Sequence, residues 1–285
     1  MNPITMKLVV DDLILQALRE DITFEDVSTA SVCPTARPAT VELIAKADGI
    51  IAGLDVFART FELLDSQSSV LLDVADGDEV HAGDHVGQVR GDARVLLSGE
   101  RVALNYLQRM SGIATYTHQM AAVLEGTKTV LVDTRKTTPG MRVLDKMAVK
   151  LGGGENHRMG LFDMILLKDN HIDFAGGIQK AIHGVREYLK ARGKELPIEC
   201  EVRTLEDIDE VFAAGGVDRI MFDNFTPEMT RLAVEKVAGR CETESSGGIT
   251  LETMRDYAEC GVDFISVGAL THQIRSLDMS LKACE

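Results

Sequence analysis

A small mixed α+β domain followed by a parallel βα barrel is the fold class that this 285-residue sequence predicts. Three observations point to it. From about residue 129 onward, six short β-branched runs alternate with amphipathic stretches, the pattern of a parallel sheet. Polar residues follow nearly every one of those runs, which favours a barrel with a ligand-binding rim over a doubly wound sheet. Up to about residue 97, by contrast, strand-like segments are separated by Gly and Asp without that alternation.

Taken in order, the chain opens with a helical stretch near Leu8 to Arg19 and strand-like segments at Val41–Lys46, Val70–Val74 and Val86–Val89. The passage Asp76–Gly91, with its repeated Gly and Asp, resembles the turn-and-strand pattern of biotinyl and lipoyl carrier domains. Such a carrier needs a lysine in Met-Lys-Met; the candidate here, Lys46, sits in Ala-Lys-Ala, so the segment is expected to be hammerhead-like architecture without the modification. Between Ser98 and Glu125 the spacing of Val102, Leu104, Leu107, Met110 and Ile113 predicts two consecutive helices around Gly112. Arg101, Asn105 and Arg109 share one face there. The barrel strands are expected at Thr129–Val132, Met164–Leu167, Ile198–Val202, Arg219–Phe222, Cys241–Glu244 and Asp263–Val267. Domain boundaries are expected at 1–112 and 113–272, with the tail 273–285 packing on the first domain.

A net charge of −15 argues against nucleic acid as partner, because a duplex binder needs a basic footprint. The charge is uneven, however: residues 98–171 hold ten Lys and Arg against seven Asp and Glu, a basic island that suits a small anionic ligand. The N-terminus runs into Asp11 and Asp12 without a secretory pattern, and the longest uncharged stretch, Met110–Leu124, is too short and too polar to span a bilayer. A cytoplasmic protein with no membrane segment is expected. The five scattered cysteines form no Cys-x-x-Cys pair and read as reduced packing residues.

Ligands of a βα barrel sit at the C-terminal strand ends. There the sequence places Asp133-Thr-Arg-Lys-Thr-Thr-Pro-Gly140, Lys168-Asp-Asn-His171, Asp223-Asn-Phe225, Glu244-Ser-Ser-Gly-Gly-Ile249 and Gly268-Ala-Leu-Thr-His272. Ser245–Ile249, ahead of a helix expected near Thr250, and Gly268-Ala269 suit a phosphate. Gly152-Gly-Gly-Glu-Asn-His-Arg158 presents His157 beside Arg158, and the guanidiniums of Arg135 and Arg158 suit planar carboxylates. On the third strand Glu199 and Glu201 share one face. Two carboxylates turned into a barrel imply lysines or Mg²⁺ nearby. Each feature alone has a plainer explanation as a turn, a solvated pair or a snorkelling lysine; their coincidence on five strand ends favours a site.

Ser98-Gly-Glu-Arg-Val-Ala-Leu-Asn105, Asp133–Gly140, Gly152–Arg158, Leu166-Leu-Lys-Asp-Asn-His171, Met221-Phe-Asp-Asn-Phe225 and Glu244–Gly248 together resemble the quinolinate phosphoribosyltransferase family over essentially the whole chain. The resemblance implies an α/β fold: an N-terminal α/β sandwich packed on an incomplete βα barrel, assembled as a homodimer. It makes Arg101 (from the partner subunit), Arg135, His157, Arg158 and Lys168 ligands of quinolinate. It assigns Lys136, Glu201 and Asp223 to the ribose, the pyrophosphate and Mg²⁺, with Glu201 and Asp223 as metal ligands. Lys136, Lys168, Glu201 and Asp223 form its catalytic set, and Ser246, Gly247, Gly248, Gly268 and Ala269 take the 5′-phosphate of phosphoribosyl pyrophosphate. Related enzymes that use nicotinate or serve molybdenum metabolism, a Schiff-base aldolase on Lys168 and a noncatalytic carrier on Lys46 are the competing readings; the clustered arginines favour a dicarboxylate.

Overall fold

The computed structural model describes residues 2–284. The chain divides into two units: the first takes residues up to His118 together with Thr138–Gly153 and the segment from Gln273, the second Gln119–Thr137 and Gly154–His272. The segment Thr138–Gly153 was expected within the barrel domain, and it clusters instead with the first unit.

The first unit is built on a four-stranded antiparallel sheet in the order Met279–Ala283, Pro38–Ala45, His85–Asp92, Ser69–Leu72. Alternation sends Leu43 and Ala45 to one face, and a register shift opposite Leu43 and Ile44 lets both Val86 and Val89, three residues apart, join them. They are buried with Phe57 and Phe61 of helix Leu54–Leu64 and with Leu96, Leu104 and Leu107 of helix Ala93–Val123. Phe57 and Phe61 meet edge to face, their ring centroids 5.3 Å apart. The hammerhead-like segment forms the short pairing of Gly49–Ile50 with Glu79–Val80, bracketed by Gly77 and Gly83 in the left-handed region. At the N-terminus a single π-helical stretch, Met6–Val10, leads into helix Asp11–Ile22.

Where two helices were expected around Gly112, the structure has one, Ala93–Val123. Gly112 is a packing residue, not a break: a Cβ there would strike the backbone oxygen of Arg275 and stand 3.0 Å from its carbonyl carbon. The glycine lets the C-terminal segment cross the helix at backbone distance.

The second unit holds six parallel strands, Val130–Val132, Ile165–Leu167, Ile198–Val202, Arg219–Asp223, Glu242–Ser246 and Phe264–Ser266. They lie in the spatial order first, sixth, fifth, fourth, third, second, so the sheet has edges at the first and second strands. The third strand is buried at all five positions, as a strand covered on both faces must be. Helices return the chain between strands with ordinary signals: Thr204 caps Leu205–Ala214, its Oγ1 accepting the Asp207 N–H at 3.2 Å, and Thr226 precedes Pro227 at the start of Pro227–Val237. The free edge of the first strand takes up another stretch of chain. The Glu155 N–H donates to Leu131 O at 2.8 Å and the Asp133 N–H to Glu155 O at 3.1 Å, so the Gly-rich segment runs alongside it as an extra parallel bridge.

Candidate active site at the strand ends

The first strand ends in Asp133, fully buried, whose Oδ1 accepts the His157 N–H at 2.9 Å. That bond and the Glu155 bridge fix the backbone from which His157 and Arg158 project. His157 was expected to face a ligand carboxylate, yet its side chain is only 6% exposed and Nε2 turns inward, 2.9 Å from Glu199 Oε2 and 3.4 Å from Glu244 Oε2. Glu244 Oε2 also receives Arg219 Nη1 at 3.0 Å. Burial pulls the His157 pKa down, but the two carboxylates close to Nε2 outweigh it and carry it up to about 9. Above that pH the remaining ring proton stays on Nε2, because Nδ1 accepts the Arg158 N–H at 2.7 Å. Burial and the charge of Glu244 raise the pKa of Glu199. Two carboxylates inside the barrel were expected to need lysines or Mg²⁺; for Glu199 the offset comes from His157 and Arg219.

Nearer the rim the charges are less well matched. Arg135 Nε is buried and has no hydrogen-bond partner among the described residues. Burial and the positive charge of Arg135 lower the pKa of Arg158, whose Nη1 makes one long bond, 3.4 Å, to Met164 O. Glu201, one strand position pair above Glu199, has its pKa raised by burial and by the charge of Asp223 on the neighbouring strand. Lys168 is exposed at the end of the second strand, where its N–H donates to His171 Nδ1 at 3.0 Å.

Lys136 comes close to Gly268. A Cβ on that glycine would stand 2.8 Å from Lys136 Cδ and 3.0 Å from His272 Nε2, so the bare backbone admits both side chains. Thr271 Oγ1 donates to Lys136 O at 3.0 Å, and Ala269 opens the short helix Ala269–His272. After the fifth strand, Gly247 and Gly248 take φ values of 101° and 63°. The helix expected near Thr250 begins only at Met254 and is five residues long. Thr253 Oγ1 accepts the Thr250 N–H at 3.0 Å and holds a separate turn first. The backbone after Ser246 is therefore that of a left-handed glycine turn rather than of a helix start.

Arg101 belongs to the first unit, exposed on helix Ala93–Val123 beside a cavity of about 250 Å³ that Asn105 and Arg109 also line. Sequence reading had passed over Glu244, Arg219 and Asp133 as partners of the site. Asp133 and Glu244 stood inside the quoted motifs, but only the fold brings Arg219 to Glu244. A wider depression of about 1050 Å³, lined by Lys128, Pro197, Asp218, Thr243 and Asp263, lies at the opposite end of the same strands. Barrel chemistry belongs at the C-terminal ends, so the rim described above is the candidate site. All five cysteines are free thiols, and among the described residues no helix is long and apolar enough to cross a membrane.

A mixed sandwich joined to six parallel strands, with unmatched guanidiniums, paired carboxylates and glycine turns at the strand ends, defines a barrel enzyme of small anions. Comparison with known proteins narrows this. The model of the quinolinate phosphoribosyl transferase N-terminal domain matches residues 21–111 and that of its C-terminal domain residues 113–282. The chain belongs to the quinolinate phosphoribosyltransferase family. It is 46% identical over 281 residues to the chloroplastic nicotinate-nucleotide pyrophosphorylase (carboxylating) of Arabidopsis thaliana, covering 93% of this chain and 80% of that protein. The probable nicotinate-nucleotide pyrophosphorylase (carboxylating) of Bacillus subtilis is 42% identical, with 99% and 94% covered. The solved structure of NadC from Streptococcus pyogenes superposes with a TM-score of 0.92 at 42% identity, covering 99% of this chain and 97% of that one.

Proposed function

We propose that this chain transfers the phosphoribosyl group of phosphoribosyl pyrophosphate to quinolinate with decarboxylation, giving nicotinate mononucleotide, pyrophosphate and CO₂, a pentosyltransferase step of de novo NAD biosynthesis. Beyond family membership, the observation that carries the reading is the pair Arg135 and Arg158. One guanidinium has a buried nitrogen without an acceptor among the described residues, and the other has its pKa lowered by burial and by its neighbour's charge. Such a pair suits a planar dicarboxylate, which supplies acceptors and relieves the repulsion. Lys168 and, from a partner subunit of a homodimer, Arg101 complete the quinolinate ligands in this reading. His157 contributes by anchoring Arg158, since its own Nε2 is engaged inward.

Lys136, Glu201 and Asp223 hold the ribose and pyrophosphate, and Ser246, Gly247, Gly248, Gly268 and Ala269 the 5′-phosphate. Glu201 and Asp223 fit Mg²⁺: both offer hard oxygen donors, and the proximity that raises the Glu201 pKa is what a cation relieves. Bound there, Mg²⁺ supplies charge neutralisation for the departing pyrophosphate. Lys136 adds a positive charge on the leaving group, and the Glu201 carboxylate faces the sugar carbon as it becomes cationic. Arg135 and Arg158 orient the pyridine nitrogen toward that carbon. Once the nitrogen is alkylated, its positive charge stabilises the electron pair left on the adjacent ring carbon when the carboxylate departs as CO₂, and that carbon then takes a proton from water to give nicotinate mononucleotide. Transfer precedes decarboxylation.

Cytoplasmic residence is part of the proposal; the name of the Bacillus relative carries no organelle, whereas those of several plant relatives are chloroplastic or mitochondrial. The test is an assay of the purified chain with Mg²⁺, phosphoribosyl pyrophosphate and either quinolinate or nicotinate, following nucleotide and CO₂ together. Equal amounts of nicotinate mononucleotide and CO₂ from quinolinate are expected. Product from nicotinate alone, or CO₂ released without phosphoribosyl pyrophosphate, overturns the reading.

A further inference from the structure

We propose that Asn224 is a positioning residue that ties the Asp223 carboxylate to the Ser246–Gly248 turn, and so sets the spacing at which the two ends of the phosphoribosyl group are held. The inference rests on the assignment of those groups given above. Several features meet at this one side chain. Its Nδ2 donates to Asp223 Oδ2 at 2.9 Å, which orients the carboxylate. Its N–H donates to Ser246 O at 2.9 Å, continuing past the strands the pairing of Asp223 with Ser246. Its Oδ1 and Cγ abut Gly247: a Cβ at 247 would stand 2.6 Å from Cγ and 2.9 Å from the Asn224 nitrogen, so the turn approaches as closely as it does only because residue 247 is glycine. Finally, the Asn224 backbone is left-handed, with φ at 56°. Asn tolerates that region better than most residues, and strain of this kind persists where the surroundings over-determine it.

The chemistry of the side chain follows from its position. A carboxylate at 224 would repel Asp223. An aliphatic group would leave Asp223 Oδ2 without this donor and would strain the backbone. Asp223 addresses the ribose and the turn addresses the 5′-phosphate, two groups on one sugar, so a shift of one support against the other affects phosphoribosyl pyrophosphate and leaves the guanidinium pair untouched.

The experiment compares Asn224→Gly, Asn224→Ala and Asn224→Asp with the wild-type chain in steady-state kinetics, each substrate varied in turn, alongside thermal unfolding. Asn224→Gly accepts the left-handed backbone without cost and removes only the amide. It is expected to keep the wild-type melting temperature while kcat/KM for phosphoribosyl pyrophosphate falls roughly ten- to hundredfold and KM for quinolinate stays within about twofold. Asn224→Asp is expected to lose at least as much, and Asn224→Ala to add a lower melting temperature. Wild-type kcat/KM for phosphoribosyl pyrophosphate in Asn224→Gly, or an equal loss toward both substrates with a lower melting temperature, overturns the role of Asn224 and leaves the assigned reaction standing. A wild-type chain that turns over neither substrate overturns the reaction, and this inference with it.

Discussion

The interior of the barrel and its rim use the same residue types to opposite ends. Inside, His157 and Arg219 stand against Glu199 and Glu244 at 2.9 to 3.4 Å, two cations that offset the repulsion between the two carboxylates. A few ångströms of strand further on, Arg135 and Arg158 repel, and Glu201 and Asp223 repel, each like charge beside like. A self-compensated cluster is architecture. An uncompensated one, in the proposed function, is a mould for a ligand of opposite sign.

The comparison breaks or sharpens under substitution. The largest effect is expected inside: Glu244→Ala leaves Arg219 and His157 buried with less than their counter-charge and should cost about 3–5 kcal/mol in urea unfolding. A loss below about 1 kcal/mol would mean the cluster is not self-compensated. At the rim, Arg135→Ala should lower kcat/KM for quinolinate roughly hundredfold, close to 3 kcal/mol, while unfolding is unchanged or improved because Arg158 is relieved. Normal quinolinate kinetics in that variant refute the mould. The third effect is one of pH. The folded pKa of His157 is raised, so its contribution is complete below the ordinary 6.5 and disappears as pH climbs through about 9; that of the raised Glu199 carboxyl is lost in the same direction but lower, by about pH 7. The melting temperature should therefore fall between pH 7 and 10, with a flatter slope in His157→Gln. The smallest effect serves as control: Arg203→Ala removes an exposed ion pair with Asp173, 3.1 Å long, and should change stability by less than about 0.5 kcal/mol.

How much of this was legible in the sequence depended on range. The six barrel strands stand within one or two residues of their expected positions because each β-branched run is buried on both faces and has no other register to adopt. Gly112 misled, since a glycine that admits a crossing chain and one that ends a helix look alike until the crossing segment at Arg275 is in view. Motif spacing brought Arg135, Arg158, Glu201 and Asp223 forward, and it marked Glu199 as needing an offset. It could not name that offset: His157 and Arg219 lie far from Glu199 along the chain and meet it only through the sheet order. The helix expected at Thr250 was displaced by a hydroxyl, that of Thr253, which offers the backbone a competing turn. Asn224 was present in the quoted Met221–Phe225 motif without a role, because its left-handed backbone is invisible to composition.

The incomplete sheet has one more consequence. A six-stranded sheet that stops short of a ring leaves rows of unpaired main-chain groups, and such rows invite another molecule to add a strand. Along Val130–Val132 that invitation is withdrawn by Glu155, whose main-chain bonds to Leu131 and Asp133 occupy the edge. The stretch of chain that carries Arg158 thus also closes one edge of the sheet to a further strand. One short segment there combines edge protection with the placement of a guanidinium at the strand ends.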